Sequence, residues 1–222
     1  MHTPPGARRP IQGIAAFSAG ITRQEAISMK TSKALREEHD TSNTALQSVL
    51  IHADRFSTIR QVPFTLHNGK PGRHIVVTAG SGRGVVIVPV VNVRGLNYFC
   101  VVDEYRLPVG QTITGFPRGG TDPHEEQEDA ARRELREETG IEACDLVHMG
   151  SVFADTGILD TKIDVYFAQA ANIPTDHVDP ETGGTSRWIA HGQLGSLIHS
   201  GKMRCGLTLA ALSLVEHSGR LR

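Results

Sequence analysis

The sequence predicts an α/β fold in which helices flank a mixed β-sheet, preceded by a small antiparallel β unit. Segments rich in β-branched residues alternate with turn signals from Ser48 to Tyr105. One helix with clear start and stop signals follows, and two more helices come later in the chain. Further strands lie between them, and this order is typical of helical layers packed on one sheet. With 222 residues, 39% of them hydrophobic, the chain is long enough to bury one substantial core.

We divide the chain into three parts. Residues 1–45 carry scattered prolines and charges without a sustained period, which predicts a disordered or loosely helical extension. Residues 46–80 should form the small β unit, because Asn68-Gly69 is a strong hairpin signal between two strand-like runs. Residues 81–222 form the main domain, and its valine-rich run Gly84–Val93 is typical of a strand buried on both faces.

The other elements follow from periodicity and punctuation. After Tyr105 we expect a long loop containing Pro108 and Pro117, and two helices should close the chain. The predicted strands are Ser48–His52, Ile59–Leu66, His74–Thr78, Gly84–Val93, Asn97–Tyr105, Leu146–Phe153, Lys162–Gln169 and Thr185–Ile189, and the closing helices are Gly192–His199 and Leu207–His217.

The central helix has a predicted beginning and end. Asp122 is a natural N-cap, Pro123 takes the first helical position, and Glu125 completes a capping box three residues after the cap. Gly140 ends the helix after Thr139.

Three carboxylates of this helix share one face. Glu134, Glu137 and Glu138 stand at i, i+3 and i+4, where like charges destabilise a helix by about 0.2–0.5 kcal/mol per pair. Oxygen ligands at this density suit Mg²⁺, which prefers carboxylates. The alternative is a solvated face on which the neighbouring arginines pair with the glutamates. The carboxylate pattern alone leaves both interpretations open.

A longer pattern surrounds these carboxylates. It comprises Gly119, Glu125, Arg133, Glu134, Leu135, Glu137, Glu138, Gly140 and Ile141. This register resembles the Nudix box, G-x(5)-E-x(7)-R-E-U-x-E-E-x-G-U with U apolar, at every position. The resemblance implies a Nudix-type α/β/α sandwich and hydrolysis of a nucleoside diphosphate linked to a group X, with Mg²⁺ (Mn²⁺ possible) as cofactor. It also implies metal ligation by Glu134, Glu137, Glu138 and the backbone carbonyl of Arg118, with Arg133 orienting the carboxylates and Glu125 as a structural partner.

The flanks of the box resemble the ADP-ribose pyrophosphatase subfamily. The similar runs are Asp103–Gly110, Gly115–Gly120 and Gly206–Leu212. This likeness implies cleavage of ADP-ribose to AMP and ribose 5-phosphate, substrate contacts from Arg106, Gly119 and Gly120, and a homodimer formed through the small β unit. A late loop acid serves as general base in this group, and the candidates here are Asp176, Asp179 and Glu181. The chain departs from the subfamily pattern at Gly115, where a glutamate is usual, and at Thr156-Gly157, where a proline is common.

Several alternatives remain at this stage. Another nucleotide sugar, a dinucleoside polyphosphate or a nucleoside triphosphate are rival substrates, and a non-catalytic nucleotide-sugar sensor is a remote rival function. The net charge of −1 and the lack of a basic recognition helix argue against nucleic acid as a partner. The longest apolar run, Val85–Val91, is too short for a bilayer, so we expect no membrane association. Three widely spaced cysteines, expected to be buried or inert, fit a reducing cytoplasm.

Overall fold

A computed structural model of the chain describes residues 48–174 and 177–221, which form two β-sheets and three α-helices. The first sheet contains β1 (Val49–Ala53), β2 (Ser57–Thr65) and β3 (Pro71–Ala79). The second contains β4 (Arg83–Val93), β5 (Leu96–Arg106), β6 (Gln111–Gly115), β7 (Arg118–Gly120), β8 (Ala143–Phe153), β9 (Lys162–Ala170) and β10 (Thr185–Ala190). The helices are α1 (Gln127–Thr139), α2 (His191–His199) and α3 (Gly206–Glu216). The predicted extension, residues 1–45, lies outside the described residues.

The small sheet is antiparallel with the order β1-β2-β3, which confirms the predicted small β unit. The β2–β3 turn places Gly69 at a φ of 79°, a conformation that glycine adopts without steric penalty. This sheet is joined to the β8–β9 loop. The Val77 amide donates to the Ile158 carbonyl at 2.8 Å, and the Arg60 guanidinium pairs with Asp160 at 2.6 Å.

The main sheet is mixed, as predicted. Its strand order is β10-β5-β4-β9-β8, with β6 paired to β5 and β7 paired to β4. Among the described strands of this sheet, only the β4–β9 pairing is parallel. The small strands β6 and β7 occupy the region where the sequence predicted a loop, so that expectation was wrong. Both strands are short and form because they pair with longer strands, β6 with β5 and β7 with β4.

Helices cover both faces of this sheet. Val86 and Val88 of β4 pack in one core with α2 and α3, whereas Val85 and Ile87 pack in a second core with α1. The buried Leu135 of α1 anchors the second core, and burial of such a side chain contributes about 1.5–3 kcal/mol. The two cores confirm the sandwich and the doubly buried strand β4. No helix in the described ranges is long and apolar enough to cross a membrane.

The predicted beginning of the central helix was wrong. Helix α1 begins at Gln127 after the N-cap Glu126, instead of at Pro123. His124 has a φ of 69°, and this left-handed conformation breaks helical continuity. Part of the expected capping contact survives in the preceding turn, where the Asp122 amide donates to the Glu125 carboxylate at 2.9 Å. The predicted end at Gly140 is confirmed by its φ of 67°.

The cysteines differ from one another in exposure. Cys100 is buried, Cys205 is half-buried and Cys144 is exposed. Of the three, only Cys100 is thus buried, and the expectation that the cysteines are buried or inert stays a prediction for the other two. Burial raises the pKa of the Cys100 thiol to about 12, so this thiol is inert at neutral pH.

Candidate active site

The site is built where β7 meets α1. Pairing of β7 with β4 holds Arg118, Gly119 and Gly120 beside the helix. A Cβ atom on Gly119 would lie 2.1 Å from the carboxyl carbon of Glu134, closer than any real contact. Any side chain at position 119 would therefore displace the Glu134 carboxylate, which lies directly against the backbone there.

Arg133 organises the acidic side of the site. Its guanidinium holds Glu125 through two bonds of 2.9 and 3.0 Å. It also donates to Glu134 at 2.7 Å, to Glu137 at 3.1 Å and to the Gly120 carbonyl at 3.0 Å. Glu125 thus has its charge neutralised, and this hydrogen bonding lowers its pKa. One arginine ties the helix to the glycine strand and sets the orientation of three carboxylates.

Glu138 is the unusual member of the set. Its side chain is buried, with the residue only 7% exposed, and its Oε2 atom has no hydrogen-bond partner among the described residues. The Arg118 amide donates to the same carboxylate. Burial, together with the charges of Glu134 and Glu104, raises the pKa of Glu138 to about 8. A buried oxygen without a partner is costly unless a ligand supplies one.

Glu134 and Glu137 are both turned towards Arg133. Burial and the charge of Glu137 raise the pKa of Glu134, while Arg133 opposes that shift. Glu137 is half exposed. No three acidic, histidine or cysteine side chains in the described ranges converge as a preformed metal site.

These residues line a cavity of about 360 Å³, which we call the carboxylate cavity. Glu134, Glu137 and Glu138 lie on its helical side, and residues 179–182 lie across from them. Arg106 and Arg118 complete the wall with positive charge. Burial and the adjacent Arg118 charge lower the pKa of Arg106, so two like charges are held close together at this wall.

The three candidate bases differ in environment. The carboxylate of Asp179 is buried and accepts the Glu181 amide at 2.8 Å and the Thr182 hydroxyl at 2.6 Å, so it shapes its own loop. Glu181 is exposed and lines the carboxylate cavity. Asp176 lies outside the described residues.

Sequence reasoning missed one acidic residue of this cavity. Glu104 of β5 is 9% exposed, lines the cavity and pairs with Arg106. The signal was its position two residues before Arg106 on the same strand, which puts both side chains on one face of the sheet.

Two further cavities adjoin the same arginines. The first, about 610 Å³, lies between the Leu107–Val109 turn and the α2–α3 connection, and we call it the arginine cavity. The second, about 390 Å³, lies against the small sheet and includes Gly119 and Gly120 in its lining; we call it the sheet cavity. Arg106 and Arg118 line all three cavities. The loop of residues 155–160 lines none of them and is bound to the small sheet instead.

Comparisons with known proteins show the family of this chain. The NUDIX domain family matches residues 80–204, which is more than half of the chain. The chain is 32% identical over 108 residues to the ADP-ribose pyrophosphatase of Bacillus subtilis (strain 168), covering 49% of this chain and 56% of that protein. It is 27% identical over 126 residues to the ADP compounds hydrolase NudE of Escherichia coli (strain K12), covering 57% and 66% of the two proteins. The chain thus matches between about half and two thirds of the length of these relatives.

A solved structure has the same fold. The crystal structure of an ADP compounds hydrolase superposes with a TM-score of 0.62 at 21% identity, covering 78% of this chain and 91% of that one. The box, the sandwich and the family match together identify the class: this chain belongs to the Nudix family. Within that family it is similar to the ADP-ribose pyrophosphatases and ADP compounds hydrolases.

Proposed function

We propose that this chain is a Mg²⁺-dependent pyrophosphohydrolase of nucleoside diphosphates linked to a group X, with ADP-ribose as the leading substrate and AMP and ribose 5-phosphate as products. The observation that carries the proposal is the buried, unpartnered Oε2 of Glu138 inside a cavity that also contains Glu134, Glu137 and two arginines. Buried carboxylates and cationic side chains in one cavity suit a ligand that brings both a cation and phosphate.

The donor set fits a divalent metal ion. Glu138 offers a desolvated oxygen with no competing partner, and Glu134 lies beside the box glycine. These two residues, with Glu137 and the Arg118 carbonyl, would hold the ion, and Mn²⁺ is a possible substitute. When bound, Mg²⁺ supplies charge neutralisation at phosphate oxygens and activation of water.

Each remaining residue has a role that follows from its chemistry. Arg106 and Arg118 are close and mutually repelling, so pyrophosphate oxygens between them would relieve that repulsion. Glu104 fixes Arg106 by its ion pair. Arg133 restrains Glu134 and ties the helix to Gly120. We assign Glu181 as the general base, because it is the described candidate whose carboxylate is not engaged in the loop's own hydrogen bonds.

The cavities favour a substrate with groups on both sides of the pyrophosphate. The arginine cavity and the sheet cavity adjoin the carboxylate cavity through the shared Arg106 and Arg118. A nucleoside diphosphate linked to X has two such groups, whereas a nucleoside triphosphate has only one. This arrangement supports ADP-ribose or another nucleotide sugar over a triphosphate.

We also propose a homodimer formed through the small sheet. Several large apolar side chains of this unit are more than half exposed, including Val49, Leu50, Ile51 and Phe56. Exposed apolar patches of this kind mark interaction surfaces. Light scattering should give twice the mass of the chain, and Leu50→Lys should shift it towards the monomer. A cytoplasmic location stays a prediction from the sequence.

The proposal is tested by a substrate panel with Mg²⁺ and product analysis. We expect ADP-ribose to yield AMP and ribose 5-phosphate, and chelation of the metal to stop turnover. Hydrolysis in H₂¹⁸O identifies the phosphorus that is attacked. Strong turnover of a nucleoside triphosphate with no AMP formed from ADP-ribose would contradict the substrate assignment.

A matched pair of variants tests the base. Glu181→Gln should lower kcat at neutral pH and weaken the dependence of kcat on pH, because it removes the proton acceptor and keeps the side-chain shape. Glu142→Gln is the control, since Glu142 is an exposed acid outside the three cavities. Equal kcat in the two variants would remove Glu181 from this role.

A further inference from the structure

The arginine cavity contains more positive charge than the pyrophosphate explains. Arg106, Arg118 and Arg204 line it together with Pro108, Val109 and Ile113. Arg106 is paired with Glu104. In the described part of the chain, neither Arg118 nor Arg204 forms an ion pair with a carboxylate. Two guanidinium groups therefore face this space without a carboxylate partner.

The two unpaired arginines are not equivalent. Arg118 also lines the carboxylate cavity, so a pyrophosphate oxygen accounts for its charge. Arg204 lines only the arginine cavity, at the end of the connection between α2 and α3. Its guanidinium donates to the side-chain oxygen of Gln111, a neutral acceptor that orients the group without neutralising it.

We infer that the arginine cavity holds one half of the substrate and that Arg204 selects, among nucleoside diphosphates linked to a group X, compounds in which this half carries an anionic group of its own, a carboxylate or a phosphate ester, over their neutral counterparts. This inference rests on the proposed function. The apolar walls from Pro108, Val109 and Ile113 contact the body of that half, while the oriented guanidinium of Arg204 binds its charge. Arg204 is thus a specificity-determining residue for acidic substrates.

Two pairs of compounds, each differing by one anionic group, test the inference on the full-length chain. UDP-glucuronate carries a carboxylate that UDP-glucose lacks, on the X side of the pyrophosphate. NADPH carries a phosphate ester that NADH lacks, on the nucleoside side. We expect kcat/KM to favour the acidic member of at least one pair by about tenfold, the effect of one charge-assisted hydrogen bond of roughly 1.4 kcal/mol. The pair that shows this preference identifies which anionic group Arg204 binds and which half of the substrate enters the arginine cavity.

Arg204→Gln should reduce that ratio to about one, chiefly by lowering kcat/KM for the acidic member. Lys202→Gln is the matched control, because Lys202 lies in the same connection but outside the cavity. In Lys202→Gln, the ratio of kcat/KM between the acidic and the neutral member should equal the ratio in the unmodified chain. A ratio near one for both pairs in the unmodified chain, or a preference that survives in Arg204→Gln, would overturn the inference.

A binding measurement separates this inference from the proposed function. If no compound, including ADP-ribose, is hydrolysed, the proposed function fails, and calorimetric binding of the same pairs to the unmodified chain still tests Arg204. Tighter binding of an acidic member that is lost in Arg204→Gln would uphold the site. Equal binding within both pairs would reject it.

Discussion

Asp164 and Glu138 are two buried acids of this chain that differ in one respect. Asp164 lies on the face of the main sheet that packs against α1, and Glu138 lies on α1 itself. Asp164 of β9 is 6% exposed and Glu138 of α1 is 7% exposed. The Asp164 carboxylate accepts the Ser151 hydroxyl and contacts His148 at 3.2 Å and Lys162 at 3.5 Å. The Glu138 carboxylate accepts one backbone amide, and its second oxygen has no partner among the described residues.

The pKa values follow this difference. Burial alone would raise the pKa of Asp164, but the hydrogen bonds from Ser151 and His148 lower it below 3.8. Burial raises the pKa of Glu138 to about 8, and the nearby charges of Glu134 and Glu104 add to that rise. A satisfied buried acid stabilises the fold, whereas an unsatisfied one is available to a ligand. We therefore read Asp164 as structural and Glu138 as a ligand to a cation.

The largest expected effect is that of Glu138→Gln on activity. The amide keeps the shape but removes the charge that binds the cation, so kcat should fall on the order of 10²–10³-fold, as for loss of one electrostatic stabiliser. The free energy of unfolding in metal-free buffer should not fall, because the variant replaces a buried acid that is costly to ionise with a neutral group of the same shape. Turnover assays and urea unfolding measure the two quantities. Full activity in this variant would contradict the assignment of Glu138.

Gly119→Ala should have the next largest effect. The added methyl group would meet the Glu134 carboxylate at 2.1 Å and force it to move. We expect a loss of kcat of at least tenfold, because small displacements of reacting groups are costly. Gly195→Ala is the control, since a Cβ at that position meets nothing within 4 Å and Gly195 lines none of the three cavities. Similar activity in the two variants would show that the position of Glu134 does not matter.

Asp164→Asn should have the smallest effect on activity and a clear effect on stability. At pH 7 we expect a loss of about 1–3 kcal/mol in the free energy of unfolding, with kcat within twofold. An acid whose folded pKa is lowered stabilises the fold above its unfolded pKa and loses that contribution as pH falls. The difference in the free energy of unfolding between Asp164→Asn and the unmodified chain should therefore become smaller below pH 3.8, which is the pKa of this aspartate in the unfolded chain. A pH-independent difference in urea unfolding would show that the charge of Asp164 is not the cause.

The sequence predicted most of the architecture because hydrophobic periodicity determines which face of an element is buried. Strand β4 illustrates this, since its valine-rich run packs both cores. Predictions from the local sequence failed where tertiary contacts determine the backbone conformation. Glu125 matches a capping box in sequence, but its carboxylate pairs with Arg133, and the left-handed His124 delays the helix to Gln127. Strand β7 depends on pairing with the distant strand β4, whereas β6 forms a hairpin with the neighbouring strand β5 that no turn signal in the sequence predicted.

The candidate site was predictable in part. The register of the box identified the glutamates, Arg133 and Gly119, because helical spacing puts the carboxylates on one face. Glu104 was missed although its spacing from Arg106 on one strand was a signal. Arg204 was not predictable from spacing, since it reaches its cavity through the return of the chain between α2 and α3. At Gly115, where the resembling subfamily has a glutamate, a Cβ would lie 2.9 Å from the Thr208 hydroxyl, so helix α3 occupies that space.

The most direct test of the central claim is a Mn²⁺ titration of three proteins, followed by electron paramagnetic resonance. The unmodified chain and Asp164→Asn should bind Mn²⁺ with equal affinity, whereas Glu138→Gln should bind at least tenfold more weakly. Equal binding by Glu138→Gln and the unmodified chain would contradict the claim that the unpartnered oxygen of Glu138 is a metal ligand.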